Sequence, residues 1–171
     1  GRFIVERYFP NNNPLSHRAW RLVTAPLNET ETIFNTWQLG GAAYGAGNYH
    51  TGTLITGPQI AGNGLDFTPT NNYSLKKYDG VNFVSVDNTN VTLSPAIGTG
   101  YLLFVRGDRN PILTNIANND FTTLSSRGKL QTGQVYIDAS NNYSLVGNPY
   151  PSPVDFNLID KSNNINPHRF Y

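Results

Sequence analysis

The feature that most constrains this chain is a recurrence of short apolar runs, each closed by Pro, Gly or Asn. Phe3-Ile4-Val5-Glu6-Arg7-Tyr8-Phe9 is β-branched and aromatic and stops at Pro10. Ala19 to Ala25 follows, with Trp20, Leu22 and Thr24 on one face and Arg21, Val23 and Ala25 on the other, and ends at Pro26. Tyr73 to Tyr78 and Asn82 to Val86 flank Asp79-Gly80, a pair suited to a hairpin turn. Gly100 to Arg106 is the most apolar run and is expected to be a central strand. Further strands are expected near Leu54-Ile55, at 127–132 and 134–138 on either side of Gly133, and from Tyr143 to Val146.

One helix interrupts this pattern. Asn28 is a capping residue with Glu31 as its reciprocal partner, Ile33, Phe34 and Trp37 share a helical face, and Gly40-Gly41 stops the run. The expectation is a helix over about residues 29–39. Short strands, frequent turn signals and a single helix point to an all-β fold. The expected form is an antiparallel β-sandwich of jelly-roll type, with a β-barrel as the alternative. The expected core is Trp20, Leu22, Phe34, Trp37, Leu102, Phe104, Leu130, Ile137 and Leu145. Arg7, Arg18, Arg21 and Arg106 are expected to hold strand edges through Glu6, Asp108 or Asp155.

Composition narrows the functional classes. Charged residues make up only 13% of the chain and the net charge is +1, so there is no overall field to draw nucleic acid or an acidic membrane. Cys is absent, which excludes disulfides, thiolate nucleophiles and Cys-type zinc sites. No apolar run is long enough to cross a membrane as a helix. The 171 residues read as a single module, and the strand-like close at His168-Arg169-Phe170-Tyr171 together with the missing initiator Met reads as a fragment of a longer chain.

Little in the sequence points to catalysis. There is no Gly-x-Ser-x-Gly elbow, and His17, His50 and His168 are isolated in polar contexts, so no catalytic residue and no cofactor are expected. For calcium, the nearest approaches are Asp87, in Asp87-Asn88-Thr89-Asn90, and Asp138, near Asn141 and Asn142; neither fits a calcium-loop pattern, and Asx turns explain both. Arg106-Gly107-Asp108 matches the integrin-binding tripeptide, but Gly-Asp also has a structural task in ending a strand. The tetrad Asn-Tyr-Ser-Leu occurs at Asn72–Leu75 and Asn142–Leu145, read as two matching turn-to-strand junctions, with an internal duplication as the alternative. The functional candidates are Tyr44, Asn48 and Tyr49 in the Gly/Asn-rich stretch after the helix. There, aromatic rings would stack on sugar rings and the amide would bond hydroxyls.

Several strings together carry a resemblance. They are VERYFP at Val5 to Pro10, HRAWRLVTAP at His17 to Pro26, TIFNTWQLGG at Thr32 to Gly41, GYLLFVRGDR at Gly100 to Arg109, GKLQTG at Gly128 to Gly133 and YSLVGNPYPSPVDF at Tyr143 to Phe156. The chain resembles a module of large secreted proteins of Bacteroidetes, chiefly flavobacteria, that are exported by the type IX secretion system. The resemblance implies a non-catalytic module of a multi-domain parent, at the outer cell surface or in the medium, that serves adhesion, display or spacing. Implied partners are the other domains of the parent, the secretion machinery during export, and glycans or host surfaces. Two alternatives remain open here: a carbohydrate-binding module of a secreted enzyme, and a filament subunit that assembles by strand addition.

Overall fold

A computed structural model describes residues 1–10, 18–28, 31–41, 52–91, 98–109, 122–139 and 143–161. The six strands found there are β1 (Phe3–Phe9), β2 (Ala19–Val23), β3 (Leu75–Tyr78), β4 (Phe83–Ser85), β5 (Tyr101–Val105) and β6 (Thr122–Gly128). They form two antiparallel sheets, one of order β1-β6 and one of order β2-β5-β3-β4. The fold is therefore all-β, and the sheets do not close into a barrel.

The core lies between the sheets. Val23, Leu75, Tyr101, Leu103 and Val105 come from the four-stranded sheet, Leu124 comes from β6, and Phe9 of β1 packs against the cluster. Ile33, Trp37, Ile55, Leu65 and Val86 from the connecting segments complete it. The most apolar run is an interior strand, as its composition predicts: β5 is flanked by β2 and β3. Its alternation settles which side is inside, because Tyr101, Leu103 and Val105 are buried while Leu102 and Phe104 face away.

That alternation corrects the expected core. Trp37 is fully buried, but Trp20 and Leu22 of β2 are 42% and 50% exposed, and Leu130 is also exposed. Phe34, Leu102, Phe104, Ile137 and Leu145 are only half-buried. The physical reason is register. Trp20 pairs with Phe104 and Leu22 with Leu102, so the four residues share one face, and the opposite face meets Trp37, whose ring stands edge-on to Tyr101 at 5.5 Å. An apolar strand such as β5 carries no sequence mark of which face is inner.

The hairpin between β3 and β4 forms where the Asp-Gly pair predicts. The Asp79 carboxylate accepts from the amides of Val81 and Asn82 at 2.8 and 2.7 Å, and those bonds hold it below the ordinary carboxylate range. Gly80 takes φ of 101°, which a side chain would resist.

The helix is shorter than expected. α1 spans Ile33–Thr36, followed by a 3-10 turn at Leu39–Gly41. Asn28 is not its cap, because both backbone groups of Asn28 are bonded to Lys129. Thr32 caps instead, accepting from the Asn35 amide at 3.1 Å. The first helical amides find partners outside the helix, Ile33 donating to the Val91 carbonyl and Phe34 to the Thr89 carbonyl. Consecutive left-handed residues Leu39, Gly40 and Gly41 end the segment, as the Gly pair predicts.

Strand expectations for the C-terminal third need correction. β6 ends at Gly128, residues 130–139 contain no strand, and Val146 makes only an isolated bridge to Thr99. Burial still alternates over 134–139, so the sequence pattern is real. No neighbouring backbone among the described residues turns it into a ladder. Leu54-Ile55 likewise lies between isolated bridges, Thr53 to Asp108 and Thr56 to Asp66.

Candidate functional site

Strand alternation turns one set of side chains away from the core. On the outer face of the four-stranded sheet these are Trp20 and Leu22 from β2, Leu102 and Phe104 from β5, Lys76 and Tyr78 from β3, and Phe83 and Ser85 from β4. The face is mostly aromatic and aliphatic. The Trp20 and Phe104 rings pack at 5.3 Å between centroids with a 59° tilt, and the Tyr78 and Phe83 rings do the same at 5.3 Å and 56°. Trp20, Leu22 and Phe83 remain exposed. A contiguous apolar surface of this kind marks a contact site more often than scattered exposed residues do.

Cations sit on these rings. Lys76 Nζ lies 5.2 Å from the Trp20 ring centre, and the Arg106 guanidinium carbon lies 5.1 Å from that of Phe104. Arg106 Nε is buried and has no hydrogen-bond partner among the described residues. Burial, and then the positive charge of Arg18, lower the Arg106 guanidinium below its ordinary value. Arg18 and Arg106 stand one residue beyond the paired positions Ala19 and Val105, so the two like charges face one another at the end of the β2–β5 ladder. The expected edge ion pairs are not those found. The ion pairs among the described residues are Arg2 with Glu31 and Arg109 with Asp66, while Arg7 donates to the Leu22 carbonyl and lies over Phe9.

The second polar feature is internal. Arg109 Nε donates to Asp66 Oδ1 at 2.8 Å, and Asp66 Oδ2 accepts from the Ile55 amide at 3.1 Å and from Gln38 Nε2 at 3.0 Å. Gln38 Nε2 also donates to the Gly64 carbonyl, and Arg109 reaches the Gln38 carbonyl. Burial raises the Asp66 carboxyl above its ordinary value, with the charge of Arg109 and these hydrogen bonds pulling the other way. The network joins the segment after α1, the loop at residues 52–66 and the chain just past β5. Both Asp66 carboxylate oxygens are engaged in it, while Gln38 Oε1 is buried with no hydrogen-bond partner among the described residues.

Of the residues singled out by sequence, Tyr44, Asn48 and Tyr49 lie outside the described residues. Asp87 and Asp138 are both exposed, and no group of three or more His, Cys, Asp or Glu side chains comes together among the described residues. Within the Arg-Gly-Asp tripeptide, the Asp108 carboxylate accepts from the Thr123 amide at 3.3 Å, which ties the chain past β5 to β6, while Gly107 adopts φ of 118° and its carbonyl accepts from the Leu54 amide. The residues of this face that sequence reasoning placed wrongly are Trp20, Leu22, Leu102 and Phe104, all assigned to the core. No local signal marked Trp20, because Arg21 shares the inner face with the buried Val23 while Trp20 shares the outer face with Leu22.

No protein-family model, no curated protein and no solved structure matches this chain. Among the described residues no helix is long and apolar enough to cross a membrane.

Proposed function

We propose that the chain is a non-catalytic extracellular module of a secreted surface protein, that it acts by adhesion, and that the outer face of the four-stranded sheet is its contact surface. The observation that carries the reading is the Trp20–Phe104 pair, set on a rigid ladder at the surface with Lys76 and Arg106 beside it. Aromatic and Arg side chains held in place by a sheet supply contact area at low entropic cost and anchor interfaces. Carbohydrate binding is the form of adhesion this face suits best, because sugar rings lay their C–H faces on aromatic rings. The extracellular location and export by type IX machinery rest on the resemblance of the strings quoted above, not on the face itself.

The test is a broad glycan array probed with the whole chain and with Trp20→Ala and Phe104→Ala. Binding to at least one glycan, lost in both variants while they remain folded, is the expected result. Silence of the whole chain across the array removes the carbohydrate reading, and binding untouched by either variant moves the site elsewhere.

A second reading has its own support. β1 is a seven-residue strand whose single ladder partner among the described residues is β6, and Ile4 and Tyr8 on it are exposed. Such an edge is a template for an added strand, as filament assembly requires. Concentration-dependent fibres abolished by Ile4→Lys would favour it; a monomer at all concentrations would dismiss it.

A further inference from the structure

The charge distribution over the aromatic face says more than that it is sticky. Strands β2, β3, β4 and β5 read AWRLV, LKKY, FVS and YLLFV, with no acidic residue in any of them. Arg18 and Arg106 oppose one another at the end of the β2–β5 ladder, a like-charge arrangement that costs stability in the free protein. Neither makes an ion pair with a described residue, and the Nε of Arg106 has no hydrogen-bond partner among them. Lys76 stands on the same face, over Trp20. The aromatic pair is thus bordered by three cations that nothing described neutralises.

We propose that this face binds a carboxylate-bearing polysaccharide, with sugar rings on Trp20 and Phe104 and uronate groups held by Arg18, Arg106 and Lys76. The inference rests on the adhesive reading above and names its ligand class. A carboxylate is planar and accepts two parallel hydrogen bonds from a guanidinium, so the facing arginines match it in geometry as well as in sign. A charged group lying between Arg18 and Arg106 removes their repulsion. Single-stranded nucleic acid also combines stacking with anionic charge, but a chain with net charge +1 lacks the field that a polyphosphate partner ordinarily requires.

The test is isothermal titration of the whole chain with polygalacturonate, with alginate, with fully methyl-esterified polygalacturonate and with poly(dT), at low and at moderate salt. The proposal expects binding to at least one of the two polyuronates, weakened by salt, with the neutral ester bound about ten-fold more weakly or not at all. Arg106→Gln and Arg18→Gln are each expected to weaken binding about ten-fold. Both variants relieve a like-charge contact, so their melting temperatures should match or exceed the parent's, which separates lost binding from lost folding. Equal binding of acid and ester overturns the proposal and leaves the adhesive reading in place. No binding to either polyuronate, unchanged affinity in both Arg variants, or tighter binding to poly(dT) also overturns it. If the whole chain is in addition silent across the glycan array, the carbohydrate reading falls with it.

Discussion

The indole N–H of Trp37 donates to the Ser126 hydroxyl at 2.9 Å, joining the end of α1 to β6 across the interior. Both residues are buried, and they are 89 positions apart in sequence. The bond satisfies the one polar atom of the largest core side chain and fixes how the two-stranded sheet sits on the helical turn. Ser126→Ala leaves a buried donor without an acceptor and is expected to cost about 1–3 kcal/mol. Trp37→Phe should lose more, because it also empties volume beside Tyr101. Urea unfolding followed by far-UV circular dichroism checks both, and a Ser126→Ala chain as stable as the parent would show that this bond contributes nothing.

Asp66 supplies a test of sign. Its carboxylate accepts from Arg109, Ile55 and Gln38, and an amide in its place would turn a donor either toward the Ile55 and Gln38 N–H groups or toward the Arg109 guanidinium. Asp66→Asn is therefore expected to cost about 3 kcal/mol. Its folded-state carboxyl lies above the ordinary value, chiefly through burial. The folded chain thus holds the proton more tightly than the unfolded chain, and this contribution is full below the unfolded value of about 3.8 and is lost as pH rises through the folded value. The stability gap between parent and variant should narrow from pH 3.5 upward through the weakly acid range, measured by denaturant titration at each pH. A gap that widens with pH would mean that Arg109 outweighs the cost of burial.

Gly52 is closely confined. It takes φ of 81°, and a Cβ there would lie 2.4 Å from the Gln38 carbonyl carbon, a backbone atom that cannot swing away. Gly52→Ala should destabilise by about 2 kcal/mol or more, combining left-handed strain with displacement of the Gln38 backbone. Gly62 has a similar φ and open space around it, so Gly62→Ala bears the conformational cost alone and should be milder. Comparison of the two melting temperatures separates collision from conformation.

The two faces of β5 and β2 predict opposite outcomes. Leu103→Ala removes a fully buried side chain and should cost about 2–5 kcal/mol. Trp20→Ala removes a larger side chain from the surface, and its stability cost should stay near 1 kcal/mol or below. If Trp20→Ala were as damaging as Leu103→Ala, the assignment of inner and outer face would be reversed.

What could be read from sequence follows from how local each signal is. Asp79-Gly80 specifies its own hairpin, because the carboxylate that caps the turn and the glycine that bends it are neighbours. Gly40-Gly41 stops the helical segment for the same reason. The helix start was misread because Asn28, a good cap by type, has its backbone bound to Lys129, a partner about a hundred residues away. Residues 134–139 carry a strand's alternation with no ladder among the described residues, since pairing needs a second backbone that the segment itself cannot supply.

By itself, then, the sequence determined that this chain builds sheets: its β-branched and aromatic runs, cut by Pro, Gly and Asn, allow little else. Tertiary structure alone decided which side of those sheets is inside. In AWRLV and YLLFV both faces carry apolar residues, so alternation defines two faces without ranking them. The ranking came from distant partners, Trp37 and Leu124, closing over Val23, Tyr101 and Leu103 and leaving Trp20, Leu22 and Phe104 on the outer face.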